Sequence, residues 1–215
     1  MIYEEVETGS PIRQGDIFAR VPRFDINLSK MSAITSSGIP IIGDWSRIEH
    51  LAEPSSIIVA VRPVLAIVIS QDCDASRAEE ISFCEIRSFR DVDAVAKDLT
   101  DAKYKSWVKI ITTHARVNQK WFYLPQDPAF KIVERMAVDF RVPMRVPREN
   151  VEDMRQTNRV GRLNDVAQSH FRERVGEFFR RYPYDEWYAL SPEEMGEYGP
   201  AKMGIAEPFP WQKSQ

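Results

Sequence analysis

Between Ile57 and Ile69 every residue is aliphatic except Arg62 and Pro63. A run of this kind must be buried, and it is too short to span a bilayer, which takes about 20 apolar residues. Its β-branched density reads as two strands, 56–61 and 64–69. The near-continuous apolar character places at least one of them with both faces covered. Pro63 then stands at a strand start, where its missing N–H is tolerated. The run stops at Ser70-Gln71-Asp72-Cys73-Asp74, a polar cluster at the C-terminal end of a buried strand.

The rest of the 215 residues is read around that centre. Hydrophobic residues make up 43% and charged residues 28%, which is globular composition and not that of a disordered chain. Residues 14–21 read as a strand after a Gly15-Asp16 turn, and 81–87 and 120–124 as further strands. Residues 136–146 read as a strand pair or one bent edge strand, given Pro143. Helical spacing covers 91–99 and, from Lys103, a piece reaching about His114. The clearest helix is expected over 160–181, with an apolar stripe of Leu163, Val166, Ala167, His170, Phe171, Val175, Phe178 and Phe179. Ser191-Pro192-Glu193-Glu194 resembles the start of a short helix. Residues 22–54 show no clear element and read as a long loop.

Charge is segregated. The net charge is −3, yet residues 141–181 hold ten arginines against six acidic residues, and 182–215 hold six acidic residues against two lysines. Arginine suits both phosphate and carboxylate pairing. The basic segment is therefore read either as a surface for a protein partner or RNA/DNA, or as a solvated helix face paired with the acidic tail. The acidic N-terminus without an apolar core does not read as a secretory signal. Two cysteines, Cys73 and Cys84, do not make a disulfide framework, so a cytoplasmic protein with reduced thiols is expected.

No spacing of zinc-ligand or phosphate-loop type occurs, and no metal or cofactor is expected. Cys73 reads as a small buried thiol rather than a nucleophile, because Asp72 and Asp74 oppose thiolate formation. The two aspartates are expected to cap the turn through Asx bonds, with a divalent-metal pair as the weaker alternative. His170 is expected in the core, His114 at a helix end, and His50 in the long loop.

Two stretches, Gln14-Gly15-Asp16-Ile17-Phe18 and Arg62-Pro63 followed by the strand 64–69 and Ser70, are similar to the PemK/MazF toxin family. That resemblance implies a small antiparallel SH3-like β-barrel that cuts RNA without a metal. It maps the family's phosphate-handling arginine onto Arg20 or Arg23 and its Ser/Thr onto Ser88. The insertion 90–114 and the helix 160–181 have no counterpart in that family. The layout Gln14–Phe18, Ser70–Asp74, Phe122–Pro125 and Val138–Phe140 also resembles a group of bacterial proteins without an established activity.

The expected architecture is α+β. A barrel core over 1–150 carries the 22–54 loop and the 90–114 insertion, and a C-terminal helical arm and tail over 151–215 pack on it. The expected function is an accessory protein- or nucleic-acid-binding module in a toxin–antitoxin or phage-defence setting, with oligomers allowed. Its binding residues are Ser70, Gln71, Asp72, Cys73, Asp74, Arg172, Arg180 and Arg181. The alternative is a metal-independent endoribonuclease using Arg20, Arg23, Ser88 and Asp72.

Overall fold

The aliphatic run divides between two sheets. The computed structural model describes residues 2–51, 54–113 and 120–180. In chain order it contains β1 (Tyr3–Glu4), β2 (Asp16–Asp25), β3 (Met31–Thr35), β4 (Pro40–Gly43), α1 (Trp45–Ile48), β5 (Ser55–Ile58) and β6 (Ala60–Val68). Next come α2 (Asp72–Arg77), β7 (Glu80–Ser88), α3 (Phe89–Val92), α4 (Ala94–Lys97), α5 (Asp101–Thr113) and β8 (Trp121–Leu124). A 3-10 turn at Pro128–Phe130 precedes β9 (Met136–Pro147), α6 (Arg148–Asn158), β10 (Arg159–Leu163) and α7 (Asp165–Arg180). Seven strands form one curled antiparallel half-barrel in the order β1-β10-β2-β6-β7-β9-β8. A second sheet has the order β4-β3-β5. The class is α+β.

Val64 to Val68 fill the centre of the large sheet, with Ile67 opposite Ile17 on β2 and opposite Cys84 on β7. The first half of β6, Ala60–Pro63, is exposed, so burial of the run begins only at Val64. Pro63 lies inside β6 rather than at its start, and its cross-strand partner is Pro22. Neither proline has an N–H, so the pair leaves no ladder donor stranded between them. The break at residue 59 sends β5 to the small sheet.

Four apolar clusters hold the described residues together, the smallest being Met31 and Ala33 of β3 against Ile48 of α1. Ile17, Ile67, Cys84, Val138 and Phe140 pack against Phe171 and Phe178 of α7. Phe18, Val64, Ile81 and Phe83 pack with Val151 of α6. Phe89, Tyr104, Val108 and Trp121 form a third cluster under α3 and α5. At about 25 cal/mol per Å² of apolar area removed from water, such aromatic-rich clusters are the main favourable term.

Two expectations are corrected. Residues 22–54 contain the end of β2, then β3, β4 and α1, rather than one loop. Their strands are short, and aliphatic residues such as Ile34 and Ile42 point outward, which hides the usual alternation. The helix expected over 160–181 starts at Asp165, because 159–163 is β10, inserted between β1 and β2. The buried stripe of α7 is Ala167, Gln168, Phe171 and Phe178. Val166, His170 and Phe179 are exposed, so His170 is not a core histidine. His114, Arg181 and the tail with Ser191 lie outside the described residues.

Gly161 lies in the middle of β10. It sits at φ +156, beside a register shift in the β10–β2 pairing. A Cβ there would lie 2.2 Å from Cδ1 of Phe130. Gly161→Ala is expected to destabilise the protein by about 2–3 kcal/mol through overpacking. Urea denaturation measures this, and a loss under about 0.5 kcal/mol would contradict the packing described.

Candidate functional site

The Gln14-Gly15-Asp16 turn and the Ser70–Asp74 cluster meet. Gly15 takes φ +92 and donates its N–H to Val68 O at 3.0 Å, which tucks the turn against the end of β6. Gln14 is buried and fully engaged. Its N–H donates to Asp72 Oδ1 (2.8 Å) and its Nε2 to Ile69 O (2.8 Å). Its Oε1 accepts from Arg172 Nε (3.1 Å), and its carbonyl from Gln168 Nε2 (2.7 Å). Arg172 also reaches Asp72 Oδ2 at 3.0 Å. Asp72 and Arg172 are thus direct partners across 100 residues of sequence.

The rest of this cluster differs from the sequence reading. Cys73 is exposed in the first turn of α2, not buried, because α2 lies on the outside of the sheet end. The buried thiol is Cys84, which burial pushes above its ordinary range. Gln71 is the N-cap of α2, and the Asp72 carboxylate turns to Gln14 and Arg172 instead of capping its own turn. Ser70 Oγ accepts from the Ser82 N–H at 2.8 Å, and the Asp74 carbonyl accepts from Arg148 Nη2 at 2.9 Å. Among the described residues no group of three or more His, Cys, Asp or Glu side chains is placed to hold a metal ion. No described helix is long and apolar enough to cross a membrane.

Most of the ten arginines of 141–181 bind groups within the chain, although Arg141, Arg145 and Arg172 among them stay exposed. Arg148 donates to the carbonyls of Asp74, Ala75 and Ala78, closing the end of α2. Arg159 and Arg162 hold the fully buried Asp16 at 3.1 and 2.8 Å and donate to carbonyls of the 7–11 segment. Burial pushes the Asp16 carboxyl up, and the two guanidinium groups oppose that shift. Arg155 binds Glu152 and the carbonyls of Gly9 and Ser10. Arg141, Arg145, Arg172 and Arg174 pair with Asp139, Glu80, Asp72 and Glu177. That accounts for eight of the ten. Arg180 is the exposed last residue of α7.

Sequence reasoning missed an ionic ladder across the large sheet. Arg23 and Arg62 both bind Glu85 and Asp25, and Arg87 approaches Glu85 (3.8 Å) and Asp139 (3.6 Å). Arg141 closes the series on Asp139 at 2.9 Å and donates to Val92 O at 2.7 Å. Glu85 and Asp139 are buried. Arg62 holds the exposed Asp25 carboxyl below its ordinary range. The signal was legible: Arg23-x-Asp25, Glu85-x-Arg87 and Asp139-x-Arg141 each put opposite charges two apart, on one face of a strand.

The residues mapped from the toxin resemblance do not form one constellation. Ser88 caps α3, accepting the Arg90 N–H at 3.3 Å, and lies 3.4 Å from the Tyr104 hydroxyl. It is six residues along β7 from Ser82, the partner of Ser70, which is about 20 Å of extended strand. Arg23 is bound to Glu85 between those ends. Arg20 sits at a β-bulge in β2, in the left-handed region at φ +60, and is exposed. Its side chain has no hydrogen bond or ion pair among the described residues.

Two further surface features stand out. One is a cleft of about 550 Å³ between α5 and the β8–β9 connection, lined by Arg90, Tyr104, Lys105, Val108 and Arg135 among others. The other is the outer face of β4-β3-β5. Ser32 pairs with Ile42 and Ile58, and Ile34 lies two residues along. Ile34, Ile42 and Ile58 are 41%, 71% and 62% exposed. Comparison with family models, with curated proteins and with solved structures finds no match to this chain.

Glu85→Gln removes the charge that Arg23 and Arg62 share. A loss of about 2–3 kcal/mol is expected, less than for a fully buried pair because Arg62 is half-exposed. Chemical denaturation checks it, and a neutral result would show that the ladder is not a stability element.

Proposed function

We propose that this protein is an accessory protein-binding module whose docking face is the β4-β3-β5 sheet. The observation that carries the reading is the exposed aliphatic face of Ile34, Ile42 and Ile58. Contiguous exposed apolar surface of this kind marks interaction sites in soluble domains. The face holds Ser32, Ser56 and Pro40 between its isoleucines and no cation for a phosphate. Strands β4 and β5 are the two edges of their sheet. The partner is therefore an extended polypeptide segment with alternating aliphatic side chains, adding as a strand to one edge.

A protein partner is favoured over RNA or DNA because eight arginines of the basic segment are already engaged within the chain. Phosphate affinity rests on cations free to release counterions. The toxin–antitoxin or phage-defence setting and the SH3-like character of the curled sheet stay part of this proposal. They are supported by the adjacency of the two resembling segments, which lie antiparallel as β2 and β6. The ribonuclease alternative has less support, since Ser88 ends β7 and caps α3, whereas Asp72 stands in α2 and is bound by Gln14 and Arg172.

The test uses the tagged full chain and an Ile42→Lys/Ile58→Lys variant, captured from source cells with hydrogen-exchange mapping of the complex. Expected are protection over residues 31–58 and at least about tenfold weaker capture by the variant, with stability within about 0.5 kcal/mol of the parent. Protection elsewhere, or unchanged capture, would overturn the docking face. In parallel, mixed-sequence RNA incubated with the protein in EDTA should stay intact. Cleavage that disappears in Arg23→Ala would restore the ribonuclease reading.

A further inference from the structure

The cleft beside α5 is separate from the docking face, and its chemistry points to a different ligand. Arg90 is fixed in place before any ligand arrives. It donates to Leu99 O (3.0 Å) and to Asp101 (2.6 Å), and its guanidinium lies over the Tyr104 ring at 4.0 Å. Two of a guanidinium's five N–H donors are used in this way, which leaves three for a ligand. Lys105 and Arg135 line the same cleft from opposite sides, both exposed, and neither has an ion-pair or hydrogen-bond partner among the described residues. Three cations thus converge on one space. Of the two acids there, Asp101 is already matched to Arg90, and Glu134 is free to accept hydrogen bonds from hydroxyl or amino groups.

We infer that this cleft binds a phosphate monoester of nucleotide size. A forked guanidinium and two exposed cations suit a doubly charged phosphate, which accepts several charge-assisted hydrogen bonds at once. About 550 Å³ is within the usual range for small-molecule sites and larger than inorganic phosphate needs. The Arg90 guanidinium, backed by Tyr104, offers a flat cationic surface on which a ring can stack. Val108 adds an apolar wall, and Gln126, held to Val133 O at 2.8 Å, adds a polar rim.

Calorimetric titration of the full-length protein at low salt tests this, with adenosine 5′-monophosphate, adenosine and inorganic phosphate as separate probes. The monophosphate is expected to bind, and adenosine and inorganic phosphate to bind at least about tenfold more weakly. A Lys105→Glu/Arg135→Glu variant alters only exposed side chains and should weaken monophosphate binding by at least about tenfold. Arg90→Lys keeps the charge but removes the fork, and should also weaken it. The inference fails if the monophosphate does not bind, if adenosine or inorganic phosphate binds equally well, or if the double variant binds like the parent.

Discussion

Three carboxylates, Asp16, Glu85 and Asp139, are buried, and each is held by at least two guanidinium groups. An unpaired buried carboxylate would cost several kcal/mol, so the arginines are a condition of this fold rather than decoration on it. Asp16 shows how much hangs on one such group. Its partners Arg159 and Arg162 also donate to carbonyls of the 7–11 segment, so one acid near the start of the chain fixes the N-terminal segment to β10. Glu85 and Asp139 do the same work across β2, β6, β7 and β9. There the interstrand charge pairs lie on the sheet between the apolar clusters around Phe83 and Trp121.

This pairing changes the meaning of arginine-rich composition. Twenty arginines against nine lysines suggests a phosphate-binding surface when only the sequence is in view. Arginine is equally the residue that satisfies several backbone carbonyls at once, as Arg148 does at the end of α2 and Arg159 along the 7–11 segment. Both uses carry the same charge and the same local sequence. Only the position of the carbonyls, set by tertiary structure, distinguishes them.

What the sequence made legible follows the same division. The strands around Ile17, Ile67 and Phe83 were read correctly because their burial is written into the aliphatic pattern itself, whereas 136–146, expected as a strand pair or one bent edge strand, is the single strand β9 between β7 and β8. The junction of Asp72 with Arg172 was foreshadowed only as two separate candidates, since nothing local says that residues 100 apart will meet. Strands β3 and β4 of the small sheet were missed because their exposed isoleucines contradict the rule that aliphatic residues face inward, while β5 falls within the strand expected at 56–61. Strand β10 was missed because Leu163 fits a helical stripe as well as a strand, and the pairing with β1 and β2 that makes 159–163 a strand joins residues far apart in sequence. Cys73 was misplaced for a related reason: a small thiol at the end of a buried strand reads as core, but α2 turns it outward.

Internal pairing also sorts the surface by what it leaves over. A group already bound to a carbonyl or a carboxylate gives up that interaction to bind anything else, so its net gain on binding is small. This weighs against the Arg172–Asp72 junction and the strand ladder as recognition surfaces, even where they are partly exposed. Groups without such partners keep their full capacity. Among the described residues these include the isoleucines of β4-β3-β5, Arg20 on its bulge, and Lys105 and Arg135 beside α5. The apolar face and the cationic cleft differ in the solvent they must shed. Aliphatic side chains gain by excluding water over area, while Lys105 and Arg135 gain only if a ligand replaces their water with stronger, charged hydrogen bonds. One chain can therefore hold a protein partner and a small anion on separate surfaces without either competing for the same groups.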